Sequence, residues 1–159
     1  MTQSEVKELF DYNTDTGVFI WKVSRSNSVK IGDIAGTITE HGYRAINLRG
    51  KIYYAHRLAW LYTFGCWPKG KMDHKNGVRS DNRINNIREA NDLQNSANKK
   101  KIRSGLKGCY WNQDRQKWQA GISINNKTKN LGRFATEQEA HDAYFTAAQQ
   151  LYGAFARAA

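Results

Sequence analysis

The spacing of apolar residues predicts short strands and helices over the first 65 positions. Thr2 and Glu5 form a capping-box pattern, which predicts a helix to about Phe10. Apolar residues at three- and four-residue spacings from Leu58 predict a second helix that ends at Gly65. Apolar runs bounded by turn residues predict strands at 18–21, 34–39, 43–48 and 51–54.

The remaining residues fall into two patterns. Residues 71–98 are rich in Asn and Asp and poor in large apolar side chains, and they predict strand 71–74, a loop, strand 86–89 and helix 92–99. Three strands and a helix opened by a second capping box follow, with the strands at 108–112, 117–124 and 129–134. These elements predict an α+β fold: a small helical and β-rich N-terminal segment, a central module, and a three-stranded antiparallel sheet with one helix.

Charge separates the last part of the chain from the rest. The formal net charge is +11, and residues 99–134 hold ten Lys and Arg against the single carboxylate of Asp114. Apolar residues such as Trp118 and Ile122 alternate with these charges, which is typical of a strand and not of a linker. We therefore expect a domain boundary near residues 99–104, followed by a folded basic module with a polyanionic partner.

Composition excludes several classes of protein. No apolar run is long enough to span a membrane, and the first residues lack the basic-then-apolar order of a secretory signal. Only two cysteines are present, Cys66 and Cys109, so neither a disulfide scaffold nor a CxxC zinc site is expected. Among the histidines, we expect His41 in a turn and His141 on a helix surface. These features predict a cytoplasmic protein.

A set of polar residues in the Asn-rich stretch could carry chemistry. Asp73 and His74 are adjacent, and Asn86 and Asn95 follow His74 by 12 and 21 positions. Carboxylate and amide oxygens are ligands that suit Mg²⁺ or Mn²⁺, and an imidazole can take a proton from water. Asn86 could orient that imidazole through its amide. From spacing alone, the alternative is a turn at residues 73–77, with the Asn residues as helix caps and surface.

The segment AHRLAW…MDHKNGVRSDNRINNIREANDLQNSAN resembles the HNH endonucleases of phages, through DHxxG, NRxxN and a following helix with QN. The resemblance implies a ββα-metal fold over residues 53–100, preceded by an accessory segment at 1–52. It implies one Mg²⁺ or Mn²⁺ held by Asp73 and Asn95, His74 as general base and Asn86 as its orienting partner. The third motif position is Asn95 instead of His, which keeps an oxygen ligand. No structural zinc is expected. His56, in AHRLAW, is a possible accessory residue, although a histidine at a helix start more often has a structural role.

The segment from about 104 to 156 resembles the Apetala-type DNA-binding domain, through GxYW, KWxAxI, LGxF and the helix EQEAHDAY. That resemblance implies a sheet that enters the major groove of DNA. Alternation along strand 117–124 places Trp118 with the core and Lys117 toward DNA. Tyr110 can belong to either side. The expected DNA contacts are Arg103, Lys107, Trp111, Arg115, Lys117, Lys127, Lys129 and Arg133.

Together these features predict a metal-dependent endonuclease that hydrolyses phosphodiester bonds of double-stranded DNA inside a bacterial host cell. One active site per chain predicts nicking by a monomer, and cutting of both strands would need a dimer or two events. One alternative is a non-catalytic DNA-binding or regulatory protein on a decayed HNH scaffold. Another is an RNA-binding module, although no RNP-like motif is present.

Overall fold

A computed structural model describes residues 1–26, 28–99, 105–124 and 127–157. By their contacts, the residues fall into two compact units, Met1–Asn91 and Asp92–Ala159. The first unit contains α1 (Gln3–Leu9), β1 (Phe10–Asn13), β2 (Val18–Trp21), β3 (Thr37–Ile38), β4 (Arg44–Leu48), β5 (Lys51–Tyr54), α2 (Ala55–Phe64), β6 (Lys71–His74), a 3₁₀ turn (Ile84–Asn86) and β7 (Ile87–Ala90). The second contains α3 (Asp92–Ala97), β8 (Cys109–Asn112), β9 (Lys117–Ile124), β10 (Lys127–Phe134), α4 (Glu137–Tyr152) and a 3₁₀ turn (Gly153–Phe155).

Three small antiparallel sheets surround the core of the first unit. They are the hairpin β1–β2, the sheet β3–β4–β5 and the hairpin β6–β7. Phe10, Phe19, Ile46 and Leu58 are among the largest side chains with no exposed surface. These side chains come from the hairpin β1–β2, the sheet β3–β4–β5 and α2, so a single apolar core joins these three elements.

Strand β1 is an element of the first unit that the sequence pattern did not predict. The predicted helix was expected to reach Phe10, but α1 ends at Leu9 and the chain continues as a strand. Phe10 and Tyr12 are buried while Asp11 and Asn13 are exposed, which is the alternation of a half-buried strand. Pairing with β2 therefore decides the structure of these residues. Strand 34–39 is also shorter than expected, since only Thr37 and Ile38 pair with β4.

The second unit contains one antiparallel sheet in the order β10–β9–β8, with α4 packed on one face. Ala120 and Ile122 of the sheet and Ala140, Tyr144 and Ala148 of the helix are buried there. The Thr136 capping box predicted for α4 is confirmed. The α+β class is confirmed as well. No helix in the described ranges is long and apolar enough to cross a membrane.

Gly17 supplies a test of how closely the β1–β2 turn packs on the polar loop of the hairpin β6–β7. It has a φ of 74°, and a Cβ there would overlap the backbone of Asn82 and Arg83. Gly50 lies in another hairpin turn with a φ of 82° and open space around it. Gly50→Ala should lower the free energy of unfolding by about 1–2 kcal/mol, the cost of left-handed backbone for alanine. Gly17→Ala should cost clearly more, as measured by urea unfolding. Equal losses in the two variants would contradict the close packing.

Candidate functional site

The hairpin β6–β7 positions the predicted acid and base. In its antiparallel register Asp73 lies opposite Arg88, and His74 lies opposite Ile87. Oδ2 of Asp73 accepts hydrogen bonds from Nε of Arg88 at 2.9 Å and from its terminal nitrogen at 2.8 Å. Both side chains are largely buried, so this ion pair fixes the carboxylate against the neighbouring strand.

His74 ends β6 and is buried among aromatic side chains. Its ring centroid lies 5.1 Å from that of His56, with the planes at 82°, and 6.0 Å from that of Tyr43. Nε2 of His74 lies 3.4 Å from Oδ1 of Asn82. Burial lowers the pKa of His74, partly offset by the contact with Asn82 and by the charges of nearby Asp73 and Asp81. The imidazole is therefore neutral at physiological pH and able to accept a proton.

Asn86 holds the loop after β6 and does not bond His74 directly. Its Oδ1 accepts from the backbone N–H of Asn76 at 3.1 Å, and its Nδ2 donates to Oδ1 of Asn76 and to the backbone oxygen of Asp81. Lys75 also donates its N–H to the backbone oxygen of Asn86. The amide predicted to orient the imidazole is therefore engaged in closing the loop, and the amide that contacts the imidazole belongs to Asn82.

His56 comes from the first turn of α2 and contacts His74. It is 8% exposed, and its Nδ1 has no hydrogen-bond partner within the part of the chain that is described. Burial lowers the pKa of His56 to about 3, assisted by the neighbouring His74 and by the charge of Arg57. Its ring stacks on Tyr54 with the planes at 12°. An unpaired polar atom at this depth is rare in proteins and is a reason to expect a functional group or water beside it.

Of the two predicted metal ligands, Asp73 lies in the first unit. Among the described residues, no group of three or more His, Cys, Asp and Glu side chains could hold a metal ion. Asp73 is a buried carboxylate at the end of β6. Mg²⁺ is commonly held by one or two carboxylates together with water and phosphate oxygens, so Asp73 fits such an ion. The half-buried Asn95 lies on α3 in the second unit, and its assignment as a ligand stays a prediction.

The two faces of the β8–β9–β10 sheet have different surfaces. Trp118, Ala120 and Ile122 pack toward α4, which agrees with the predicted core position of Trp118. The other, open face carries residues from all three strands in cross-strand rows. Its side chains are Tyr110, Asn112, Lys117, Gln119, Ser123, Thr128 and Arg133. Tyr110 is 53% exposed and therefore does not belong to the core.

The expected DNA contacts are divided between these faces. Lys117 and Arg133 lie on the open face, whereas Trp111 shares its row with Trp118 and so lies on the helix side, 41% exposed. Lys127 and Lys129 pair with Ile124 and Ile122, on the helix side, and a bulge between Asn130 and Gly132 puts Arg133 on the opposite side. Arg115 is exposed in the turn between β8 and β9. Arg103 lies outside the described residues.

Lys107 and His141 have structural contacts in the second unit. Nζ of Lys107 donates to the backbone oxygens of Ala97 and Lys99, at the end of α3. His141 was expected on the surface but is buried, with Nδ1 2.7 Å from the backbone oxygen of Lys107. Helix spacing alone did not separate His141 from the exposed positions, because the contact comes from a loop 34 residues earlier.

The lowered pKa values of His56 and His74 predict that acid destabilises the protein. A histidine with a lowered pKa takes up a proton on unfolding, so stability is full above about pH 6.5 and falls as the pH drops toward 3. Each such proton contributes about 1.4 kcal/mol per pH unit to that slope. His56→Phe keeps an aromatic ring at this position and removes one titratable group. Urea unfolding between pH 4 and 7 should give a shallower slope for this variant, and an unchanged slope would contradict a neutral His56. His41→Phe, at an exposed position, is the matched control.

Comparison with known proteins gives two matches. Residues 53–97 match a family model described as HNH endonuclease. The chain is also 31% identical over 106 residues to Protein 3.8 of Escherichia phage T7, a match that covers 64% of this chain and 87% of that protein. No solved structure matches significantly. The chain therefore belongs to the family of phage Protein 3.8, and its residues 53–97 are similar to HNH endonucleases.

Proposed function

We propose that the protein is a metal-dependent DNA endonuclease in which His74 is the general base. The observation that carries this proposal is the burial of a neutral imidazole at the end of β6, directly after a buried carboxylate. The HNH match over the same residues supports it, because HNH nucleases act on DNA with divalent ions. The phage relative supports a place of action inside a bacterial host.

In the proposed reaction, His74 accepts a proton from the water that attacks the scissile phosphorus. Asp73, fixed by Arg88, would be a ligand of the divalent ion, and the sequence resemblance alone supplies Asn95 as the second. When bound, Mg²⁺ or Mn²⁺ would supply charge stabilisation for the oxygen that leaves. Asn86 would act at a distance, by closing the loop that follows His74. Nδ1 of His56 would hydrogen-bond to a water or a substrate group beside the His74 imidazole.

We further propose that the open face of the sheet docks on duplex DNA. It combines two cations, Lys117 and Arg133, with amide and hydroxyl side chains that can hydrogen-bond to base edges. The resemblance to Apetala-type domains supports a position in the major groove. Under this proposal the sheet supplies targeting and the HNH residues supply the cut. A monomer with one site would nick one strand.

Cleavage of supercoiled plasmid tests the nuclease. The wild-type protein should convert the plasmid to open circles with Mg²⁺ or Mn²⁺ and not with EDTA. His74→Ala should lower the rate by about 10²–10⁴ because the base is lost, with DNA binding retained. His41→Ala, at an exposed histidine, should cut like wild type. Asp73→Ala should also be inactive.

Three results would change this assignment. Binding without any cleavage by the wild-type protein would favour the non-catalytic, regulatory alternative. Equal loss of binding and cleavage in His74→Ala would make His74 a structural residue. Linear product in a single event would indicate cutting of both strands and a dimer.

The salt dependence of DNA affinity tests the docking face. If Lys117 and Arg133 contact phosphates, alanine at either position should weaken binding to all duplexes and reduce the slope of log affinity against log salt by about one. Lys127→Ala and Lys129→Ala remove cations from the other rows of the same sheet and should change the slope less. The reverse order, measured by fluorescence anisotropy between 50 and 200 mM salt, would place DNA on the helix side.

A further inference from the structure

Asn82 is the most completely buried polar side chain near His74, and it has no role in the reaction proposed above. It is 1% exposed and ranks among the largest fully buried side chains. It lies in the NRxxN motif, four residues before the asparagine that the sequence analysis selected. Burying an amide without hydrogen bonds costs roughly 1–3 kcal/mol, so its two bonding groups should each have a defined use.

The amide of Asn82 can be oriented from its own hydrogen bonds. Its Nδ2 donates to the backbone oxygen of Ser80 at 3.0 Å. The atom that lies 3.4 Å from Nε2 of His74 is therefore Oδ1. An amide oxygen can only accept a hydrogen bond, so Nε2 must carry the hydrogen. In the neutral imidazole this leaves the lone pair on Nδ1.

From this geometry we infer that Asn82 is the positioning residue that fixes the tautomer and ring plane of His74, so that Nδ1 is the atom that accepts the proton. This inference rests on the proposed role of His74 as general base. It moves the orienting function from Asn86, whose amide closes the loop, to the asparagine four residues earlier.

The N-terminal hairpin β1–β2 holds the backbone that carries Asn82. The hydroxyl of Tyr12 donates to the backbone oxygen of Asn82 at 2.7 Å in a buried position, and burial raises the pKa of that hydroxyl. Ile84 donates its N–H to the backbone oxygen of Thr14 at 3.2 Å. Gly17 packs directly on the Asn82–Arg83 backbone. The hairpin β1–β2 therefore fixes the backbone of Asn82 and, through it, the position of the amide that contacts His74.

The first experiment reads the tautomer without metal, DNA or turnover. Long-range ¹H–¹⁵N spectra of the ¹⁵N-labelled protein at pH 7.5 distinguish the protonated ring nitrogen from the one with the lone pair. The chain has four histidines, so a spectrum of His74→Ala assigns the His74 signals. The wild-type protein should show hydrogen on Nε2 and a lone pair on Nδ1. Hydrogen on Nδ1 would overturn the inference, whatever any variant does.

Two substitutions of Asn82 separate positioning from packing. Asn82→Asp keeps an acceptor oxygen and should keep the Nε2–H tautomer. Asn82→Leu keeps the volume but removes the acceptor, so His74 should show a mixture of tautomers. In plasmid cleavage, Asn82→Leu should lower kcat by about 10- to 100-fold with little change in KM, the range for residues that orient a functional side chain. A single Nε2–H tautomer and an unchanged kcat in a folded Asn82→Leu would contradict the inference.

The support from the hairpin has its own matched pair of variants. Tyr12→Phe removes the hydroxyl that bonds Asn82 and keeps the ring that stacks on Phe19. Tyr62→Phe removes a hydroxyl from the same aromatic cluster, and among the described residues that hydroxyl makes no hydrogen bond to Asn82. Tyr12→Phe should lower kcat several-fold and Tyr62→Phe should not. Equal rates in the two variants would show that the hairpin does not support the site, and they would still be informative if Asn82→Leu failed to fold.

Failure of this inference and failure of the proposed function give different results. If His74 shows the Nε2–H tautomer but His74→Ala cleaves normally, Asn82 positions a histidine that is not the base. If His74→Ala is inactive but Asn82→Leu keeps both tautomer and rate, the nuclease assignment stands and the positioning role is wrong.

Discussion

The loop between β6 and β7 contains few apolar side chains, so its shape depends on hydrogen bonds that asparagine side chains donate and accept and that aspartate accepts. Asn86 bonds the loop at Asn76 and Asp81, and Asp81 also pairs with Arg83. The hydrogen bonds from Arg83 and Asn76 lower the pKa of Asp81 to about 2, so the Asp81 carboxylate stays negatively charged at physiological pH. Because each amide in this set bonds backbone as well as side chains, the loop can fix a histidine without a hydrophobic core of its own.

This constraint explains why the N-terminal hairpin β1–β2 packs on the loop. A polar loop cannot supply the apolar surface that would anchor it, and the hairpin β1–β2 supplies that anchor from the main core of the first unit. Tyr12 contributes to both, since its ring stacks on Phe19 and its hydroxyl reaches the loop. The hairpin thus joins the rigid core to the segment that faces His74.

The two asparagines of the NRxxN motif show where sequence reasoning reached its limit. Spacing and family resemblance placed Asp73, His74 and Asn86 in one small region, and the hairpin β6–β7 does bring them together. Neither could distinguish which amide contacts the imidazole, because that depends on the path of an irregular loop. Tyr43 and Arg88 were also missed, as their contacts come from other strands. Similarly, residue type alone could not separate Lys107, which bonds carbonyls, from the cations of the open sheet face.

The sequence by itself determined the order of elements, the α+β class, the basic C-terminal sheet and the polar motif of the HNH region. These follow from periodicity, capping residues and charge, which are local properties of the chain. Only the tertiary structure decided that Phe10–Asn13 is a strand, that His141 is buried and that Asn82 faces His74. The reason is physical: pairing, burial and hydrogen bonding of these residues depend on partners 5 to 34 positions away, and local pattern does not identify such partners.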